Sequence, residues 1–439
     1  MEKIIVQGGQ TLRGTLRVQG SKNAALPILA ACVLVNGVCE IRNCPDLSDV
    51  RAAVRILRHL GCAVERGEDS LRVDARTVFR AAIPHALMRE MRSSIVFLGS
   101  VLSRTGRAAL CTPGGCEIGA RPIDLHLSSL RALGARIDET NGALCCTARG
   151  GLHGATIRLR FPSVGATENI LLAAAAANGT TTLYGAAREP EIGDLIRFLN
   201  ACGARIRDLG AGTLKIEGMP CLHGCTHRVI PDRIAAVTYM AAAAVTGGDV
   251  TLTDIVPAHL ACVTNVFEQT GCRIEEADDR LHLRAPERLR AVRDIRTAPY
   301  PGFPTDAQAA IMVALASADG VSTIEETIFE NRFHHVCALR RMGADITVEG
   351  CTALLRGVER LHGAAVSAVD LRAGAAMVVA GLGALGETVI DQIQHIDRGY
   401  EKIEACLQTL GARIERSADS GSTKPEQQFP LRLLPLRYG

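Results

Sequence analysis

The sequence predicts an α/β (α+β) fold made of six copies of one β/α unit of about seventy residues, divided into two domains of three units each. Three observations predict it. A phrase of Leu, three residues, Gly, a small residue, any residue and Ile or Val recurs at Leu57–Val64, Leu130–Ile137, Leu199–Ile206, Leu339–Ile346 and Leu407–Ile414, and more loosely at Phe267–Ile274. Its glycines, Gly61, Gly134, Gly203, Gly271, Gly343 and Gly411, are spaced by 73, 69, 68, 72 and 68 residues. Upstream of each lies a Gly-led β-like run, and before that run an Ala-rich, almost wholly apolar segment.

The elements follow in order. The apolar segments Ala24–Val35, Ser93–Leu102, Thr167–Ala177, Ala235–Val245, Ala307–Ala318 and Gly374–Ala384 read as helices. A helix apolar on every face has to be buried. Strands open at Gly37, Gly106, Gly179, Gly248, Gly320 and Gly386. Each repeat phrase reads as a second helix stopped by a C-terminal glycine and passing into a strand. A further short strand follows a polar turn, as in Ser70–Asp74, Thr213–Glu217 and Arg280–Arg284. Helices from several units can pack together inside, with sheets and amphipathic helices outside. Residues 1–21 hold two strands, which the sixth unit needs for completion, so they belong with the second domain. The expected domains are 22–229, and 1–21 plus 230–416, with crossings near Ser21–Lys22 and Val229–Pro231. Residues 417–439 read as a disordered tail.

Composition narrows the function. The chain has 439 residues, a net charge of +3, 3% aromatics and no Trp. That balance argues against a nucleic-acid or membrane-surface partner. The longest apolar runs, such as Leu171–Ala177, fall short of a membrane span. Sixteen cysteines without an N-terminal leader pattern imply free thiols in the cytoplasm.

Charged residues gather where the apolar helices begin: Ser21-Lys-Asn23, Met91-Arg-Ser93, Pro162-Ser-Val-Gly165, Pro231-Asp-Arg233, Phe303-Pro-Thr-Asp306 and Val369-Asp-Leu-Arg372. The loops after the first strands add Cys116, Arg121, Glu189, Arg332 and Arg398. Equivalent positions of a repeat lie at the same end of a domain. Helix N-termini with guanidiniums beside them form an anion site. A cation at a helix start is locally unfavourable, which points to function over stability. Two such faces opposed across the hinge would enclose a small anionic substrate. Thr112-Pro-Gly-Gly-Cys-Glu-Ile-Gly-Ala-Arg-Pro-Ile-Asp124 is the most distinctive stretch. It places a thiol on a Gly-rich loop, near a guanidinium and a helix start, where its reactivity is raised.

These motifs, with Ser21–Pro27, Pro113–His126, Ala187–Ile192, Pro231–Ile234, Phe303–Asp306, Asp370–Arg372 and His395–Tyr400, resemble the UDP-N-acetylglucosamine 1-carboxyvinyltransferase family of enolpyruvyl transferases over residues 1 to about 416. The resemblance implies two inverted α/β barrels, each a threefold repeat, joined by a two-stranded hinge. It implies transfer of the enolpyruvyl group of phosphoenolpyruvate to the 3′-hydroxyl of UDP-N-acetylglucosamine, with release of phosphate, as the first committed step of peptidoglycan precursor synthesis. Lys22, Asn23, Cys116, Arg121, Arg372 and Arg398 would bind phosphoenolpyruvate. Arg92, Arg121, Pro122, Ile123, Asp124, Leu125, Ser163, Val164, Gly165, Asp306 and Ile328 would bind the nucleotide sugar. Lys22, Cys116, Asp306 and Arg398 would be catalytic, Asp306 as general base at the 3′-hydroxyl and Cys116 as proton donor to the methylene carbon. Cys116 would also form a pyruvate adduct and be the target of fosfomycin. The family needs no cofactor and no metal, and its partners are the two small-molecule substrates. Phe161-Pro162 stands where some members carry Lys-Val.

Two other readings stay open on sequence alone. An enzyme of the same fold, 5-enolpyruvylshikimate 3-phosphate synthase, uses the same donor but does not rely on such a loop cysteine. A thiol redox sensor or repeat scaffold would suit sixteen cysteines, and would release no phosphate. Among weaker signals, Cys221-Leu-His-Gly-Cys-Thr-His227 lacks a usual zinc spacing and reads as a surface loop. His334-His335 and Cys145-Cys146 read as packing or surface positions, and Gly8-Gly9-Gln10 lacks the Lys-Ser/Thr of a phosphate loop.

Overall fold

A computed structural model describes residues 2–111, 122–140 and 142–417. Among them are six sheets, five of four strands and one of three. The first unit shows how each is built. The apolar helix Lys22–Cys32 leads into the strand Val38–Arg42, the amphipathic helix Ser48–Leu60, and the hairpin Ala63–Arg66 with Ser70–Asp74. Val38–Arg42 lies antiparallel to Ser70–Asp74, with Cys39 opposite Val73 and Ile41 opposite Leu71. All four of those side chains are buried, as a strand with one face on the core requires. The repeat-phrase glycines all have left-handed φ angles, from 90° at Gly411 to 108° at Gly61. A glycine there ends the second helix of each unit without the Cβ clash other residues meet.

The apolar helices sit inside. Arg233–Val245, Gln308–Ala316 and Leu371–Gly383 pack against one another in one half, and Lys22–Cys32, Phe97–Thr105 and Val164–Ala174 do so in the other. Sheets form the outer wall, so each half is an α/β barrel turned inside out. Buried side chains fall into two clusters. One runs from Ala24 to Val229, and the other joins Ile4–Val18 to Ala235–Ile414.

Three details differ from expectation. The N-terminal strands do not both complete the sixth unit. Lys3–Gln7 inserts between Glu387–Asp391 and Arg413–Ser417, while Arg13–Arg17 pairs in parallel with Asp249–Thr253 of the fourth. The expected helix Ser93–Leu102 is a 3-10 turn, Arg92–Val96, followed by the α-helix Phe97–Thr105. Ser94 gives its hydroxyl to the Met88 carbonyl there, a competing local bond of the kind that weakens regular helix. Five sheets carry a fourth, parallel edge strand that the three-strand unit did not anticipate, such as Thr226–Arg228 beside Val38–Arg42, and in the second unit it is reduced to one bridge, Ala82 to Ala109. The expected tail lies outside the described residues beyond Ser417.

The two segments that pass between the halves run side by side. Gly20 bridges Pro231, Ser21 N–H donates to the Ile230 carbonyl at 2.8 Å, and Asp232 N–H donates to the Gln19 carbonyl at 2.8 Å. Among the described residues no helix is long and apolar enough to cross a membrane.

Gly411 isolates the backbone term, because a Cβ there would touch nothing within 4 Å. Gly411→Ala should lower stability by about 1 kcal/mol, and Gly411→Asn by less, since Asn tolerates the left-handed region. Urea-unfolding midpoints check this, and an alanine variant as stable as the parent would refute it.

Candidate active site

The helix Ser48–Leu60 brings Asp49 into the site from its first turn. Asp49 is in phase with Ala53, Ile56 and Leu60, and all four are buried. A buried carboxylate needs charge partners. Asp49 has two. Lys22 Nζ lies 3.3 Å from its Oδ2, and Arg398 reaches across from the other half, with Nε 2.9 Å from Oδ1 and Nη2 3.4 Å from Oδ2. Lys22 is the first residue of its helix, whose N-cap is Ser21. Arg398 closes the 3-10 helix Ile393–Arg398.

Asp306, in the 3-10 turn Thr305–Ala307, is the second anchor. Arg332 Nη2 donates to Oδ1 at 2.8 Å, while Arg372 donates to Oδ2 from Nη2 at 3.2 Å and from Nε at 3.3 Å. Arg372 also donates to the Tyr400 hydroxyl at 3.2 Å, which lies 2.7 Å from the Thr238 hydroxyl. Asp370 and Asp232 are N-caps: each takes two backbone N–H bonds at the start of its helix. Asp232 also accepts from the Lys22 backbone N–H at 3.4 Å.

Lys22, Arg332, Arg372 and Arg398 thus face Asp49 and Asp306: four cations against two carboxylates. Asp232, beside Lys22 and within reach of Arg372, offsets part of that excess, and the remaining positive charge suits an incoming anion. Burial lowers the Lys22 ammonium's pKa; Asp49 raises it again in part, and Arg372 and Arg398 push it down further. Burial alone would raise Asp306, yet Arg372 and Arg332 hold it well below the usual carboxylate range. Asp49 is likewise lowered against its burial by Lys22 and Arg398.

The structure therefore brings Lys22, Asp306, Arg372 and Arg398 together, with half-buried Asn23 beside Lys22. Pro122, Ile123, Asp124 and Leu125 form the entry and first turn of the helix Asp124–Ala132. Asp124 pairs with Arg160. Ser163 caps the helix Val164–Ala174, taking the Ala166 N–H at 3.3 Å, and Val164 and Gly165 form its first turn. His126 from the neighbouring helix packs against Gly165 and bonds to Asn169 at 2.9 Å. Ile328 N–H donates to Glu326 Oε1 at 2.8 Å. Arg92 opens the turn Arg92–Val96. Cys116 and Arg121 lie outside the described residues.

A second bridge between the halves was not anticipated. Arg233 is held by Glu191, Nε to Oε1 at 3.0 Å, and Glu189 accepts from the Tyr300 N–H at 3.3 Å. Glu168 is buried near both glutamates. Burial and their charges raise its pKa to about 8. The signal for Asp49 was its phase with the apolar face of its helix; Glu168 gave a similar one inside an apolar run.

Two inverted barrels meet over these paired cations and carboxylates, an opening whose charge suits an anion. A family model described as EPSP synthase (3-phosphoshikimate 1-carboxyvinyltransferase) matches residues 6–407. The chain is 48% identical over 416 residues to UDP-N-acetylglucosamine 1-carboxyvinyltransferase 2 of Caldanaerobacter subterraneus subsp. tengcongensis, covering 95% of this chain and 100% of that one. It is 47% identical over 419 residues to the UDP-N-acetylglucosamine 1-carboxyvinyltransferase of Lawsonia intracellularis, with 95% and 100% coverage. The solved enolpyruvyl transferase NikO from Streptomyces tendae superposes with a TM-score of 0.85 at 26% identity, covering 95% of this chain and 99% of that one. An EPSP synthase from Acinetobacter baumannii gives 0.75 at 20% identity, with 95% and 100% coverage, a likeness of fold alone. The chain belongs to the enolpyruvyl transferase family, with the UDP-N-acetylglucosamine 1-carboxyvinyltransferases as its relatives at 47–48% identity.

Glu168 yields a pH prediction. Its folded pKa of about 8 lies above the ordinary value of 4.5, so between them the folded state holds a proton that the unfolded state has lost. Stability from this group is full below 4.5 and declines as pH rises through about 8. Glu168→Gln should gain on the parent progressively across that window. Melting curves from pH 4.5 to 8.5 check it; a pH-independent difference would refute it.

Proposed function

We propose that this protein transfers the enolpyruvyl group of phosphoenolpyruvate to the 3′-hydroxyl of UDP-N-acetylglucosamine and releases phosphate, the first committed step of peptidoglycan precursor synthesis. The observation that carries the proposal is the surplus of cations around Asp49 and Asp306, set in a chain nearly half identical to enzymes of that name. Phosphoenolpyruvate brings a phosphate and a carboxylate, which Lys22, Arg372 and Arg398 suit in charge and geometry. Asn23 and Arg121 complete that set. Arg92, Arg121–Leu125, Ser163–Gly165, Asp306 and Ile328 hold the nucleotide sugar.

In this reading the 3′-oxygen adds to C2 of phosphoenolpyruvate while Cys116 protonates C3. The tetrahedral adduct then returns a C3 proton to the Cys116 thiolate and expels phosphate, restoring the double bond. Asp306 takes the hydroxyl proton. Two ion pairs make it a weak base, so substrate must loosen them. An arriving anion that competes for Arg372 does so. The two core clusters support division of the chain into 22–229 and 1–21 plus 230–416, with the substrates between them.

Phosphate release tests the proposal. Phosphoenolpyruvate should release phosphate with UDP-N-acetylglucosamine and not with shikimate 3-phosphate; the reverse would overturn the acceptor, and silence with both, from folded protein, the reaction. Asp306→Asn should lower kcat by about 10²–10⁴-fold, a loss well beyond any accompanying loss of nucleotide-sugar affinity, since Asp306 is both the base and a sugar contact.

A further inference from the structure

The first half carries a second concentration of chemistry, away from the cations. Cys39 sits on the strand Val38–Arg42, Cys202 at the C-cap of the helix Pro190–Ala201, and Cys225 just before the strand Thr226–Arg228. Their sulfurs all lie within 4.8 Å of one another, with Cys202 and Cys225 3.4 Å apart. Cys39 and Cys202 are buried, and Cys225 is half-buried. Thr226–Arg228 pairs in parallel with Val38–Arg42, which fixes Cys225 beside Cys39. The Cys225 backbone amide faces the Cys39 sulfur, and the buried Cys32 thiol abuts Cys39 from behind. Cys225 belongs to the Cys221–His227 stretch that reads from sequence as a surface loop; Cys221 and His223 are indeed exposed, while His227 turns to Asp194 at 3.0 Å.

We propose that Cys39, Cys202 and Cys225 form a three-sulfur site for one soft monovalent metal ion of the copper(I) class. Thiolates about 2.3 Å from a shared ion stand roughly 4 Å apart, a spacing these three sulfurs reach with sub-ångström adjustment. Cys32 lies against Cys39 alone, and among the described residues no fourth His, Cys, Asp or Glu ligand atom comes within 4.8 Å of all three sulfurs. That disfavours structural zinc, which takes four ligands, and suits a soft ion that accepts thiolates alone. Cys202 lies at a helix C-terminus, where the dipole favours a cation. Each thiol that binds gives its proton to solvent as its sulfur–metal bond forms, and the ion keeps its oxidation state. Half-buried Cys225 offers the route in from the surface. The ligands tie the first unit to the third, so occupancy stiffens that half, and it does so independently of the transfer reaction.

The test is an anaerobic titration of the reduced full-length protein with copper(I), in competition with a copper(I) chelator, read also by X-ray absorption and by melting temperature. The parent should hold one tight equivalent with sulfur-only ligation and melt higher when loaded. Cys39→Ala and Cys202→Ser should each weaken that equivalent by about 100-fold and abolish the melting shift, while the exposed Cys351→Ser leaves both unchanged. Cys225→Ser, at a half-buried position, covers the case in which a core variant fails to fold. No copper retained by the parent against the chelator, or retention unaltered in the folded Cys225→Ser variant, would overturn the site.

Discussion

Two carboxylates, Asp49 buried and Asp306 half-buried, each hold two cations, and the site depends on that arrangement. Asp49 pairs with Lys22 from its own half and Arg398 from the other; Asp306 pairs with Arg332 and Arg372. Unpaired, four cations packed this closely would repel one another and resist burial. Half paired, they stay in place and keep a net attraction for anions. Asp49 and Arg398 come from opposite halves, so the same contact that positions Arg398 also holds the halves together.

The fold supplies the geometry for this. Each apolar helix is buried along its length and therefore begins at a fixed depth, and the residue at its start emerges where the barrel ends. Lys22 and Arg372 stand in the first turns of such helices, and Asp306 in the 3-10 turn that leads into another. Repetition thus places comparable positions of several units at one opening. The Glu191–Arg233 bridge and the paired segments at Gly20 and Pro231 flank it.

Much of this was legible in the sequence, for physical reasons. A glycine forced to positive φ at the end of every second helix leaves a mark that recurs with the repeat, so unit count and element order could be read. Cations at helix starts conflict with the dipole, so Lys22 and Arg372 stood out. Asp49 did not, because an acidic residue in a first turn is what local helix preference favours anyway. The destinations of Lys3–Gln7 and Arg13–Arg17 were hidden too, since a strand's pattern encodes its buried face and not its partner. The thiol trio was invisible for the same reason: positions 39, 202 and 225 meet only through strand pairing and helix packing.

The most direct measurement of the central claim is the calorimetric affinity for phosphoenolpyruvate, with UDP-N-acetylglucosamine present, in the parent, Arg398→Ala and Arg372→Ala. If the surplus cations receive the donor's charges, each variant loses more than about tenfold in donor affinity and keeps its nucleotide-sugar affinity. Unchanged donor affinity in both folded variants would contradict the account.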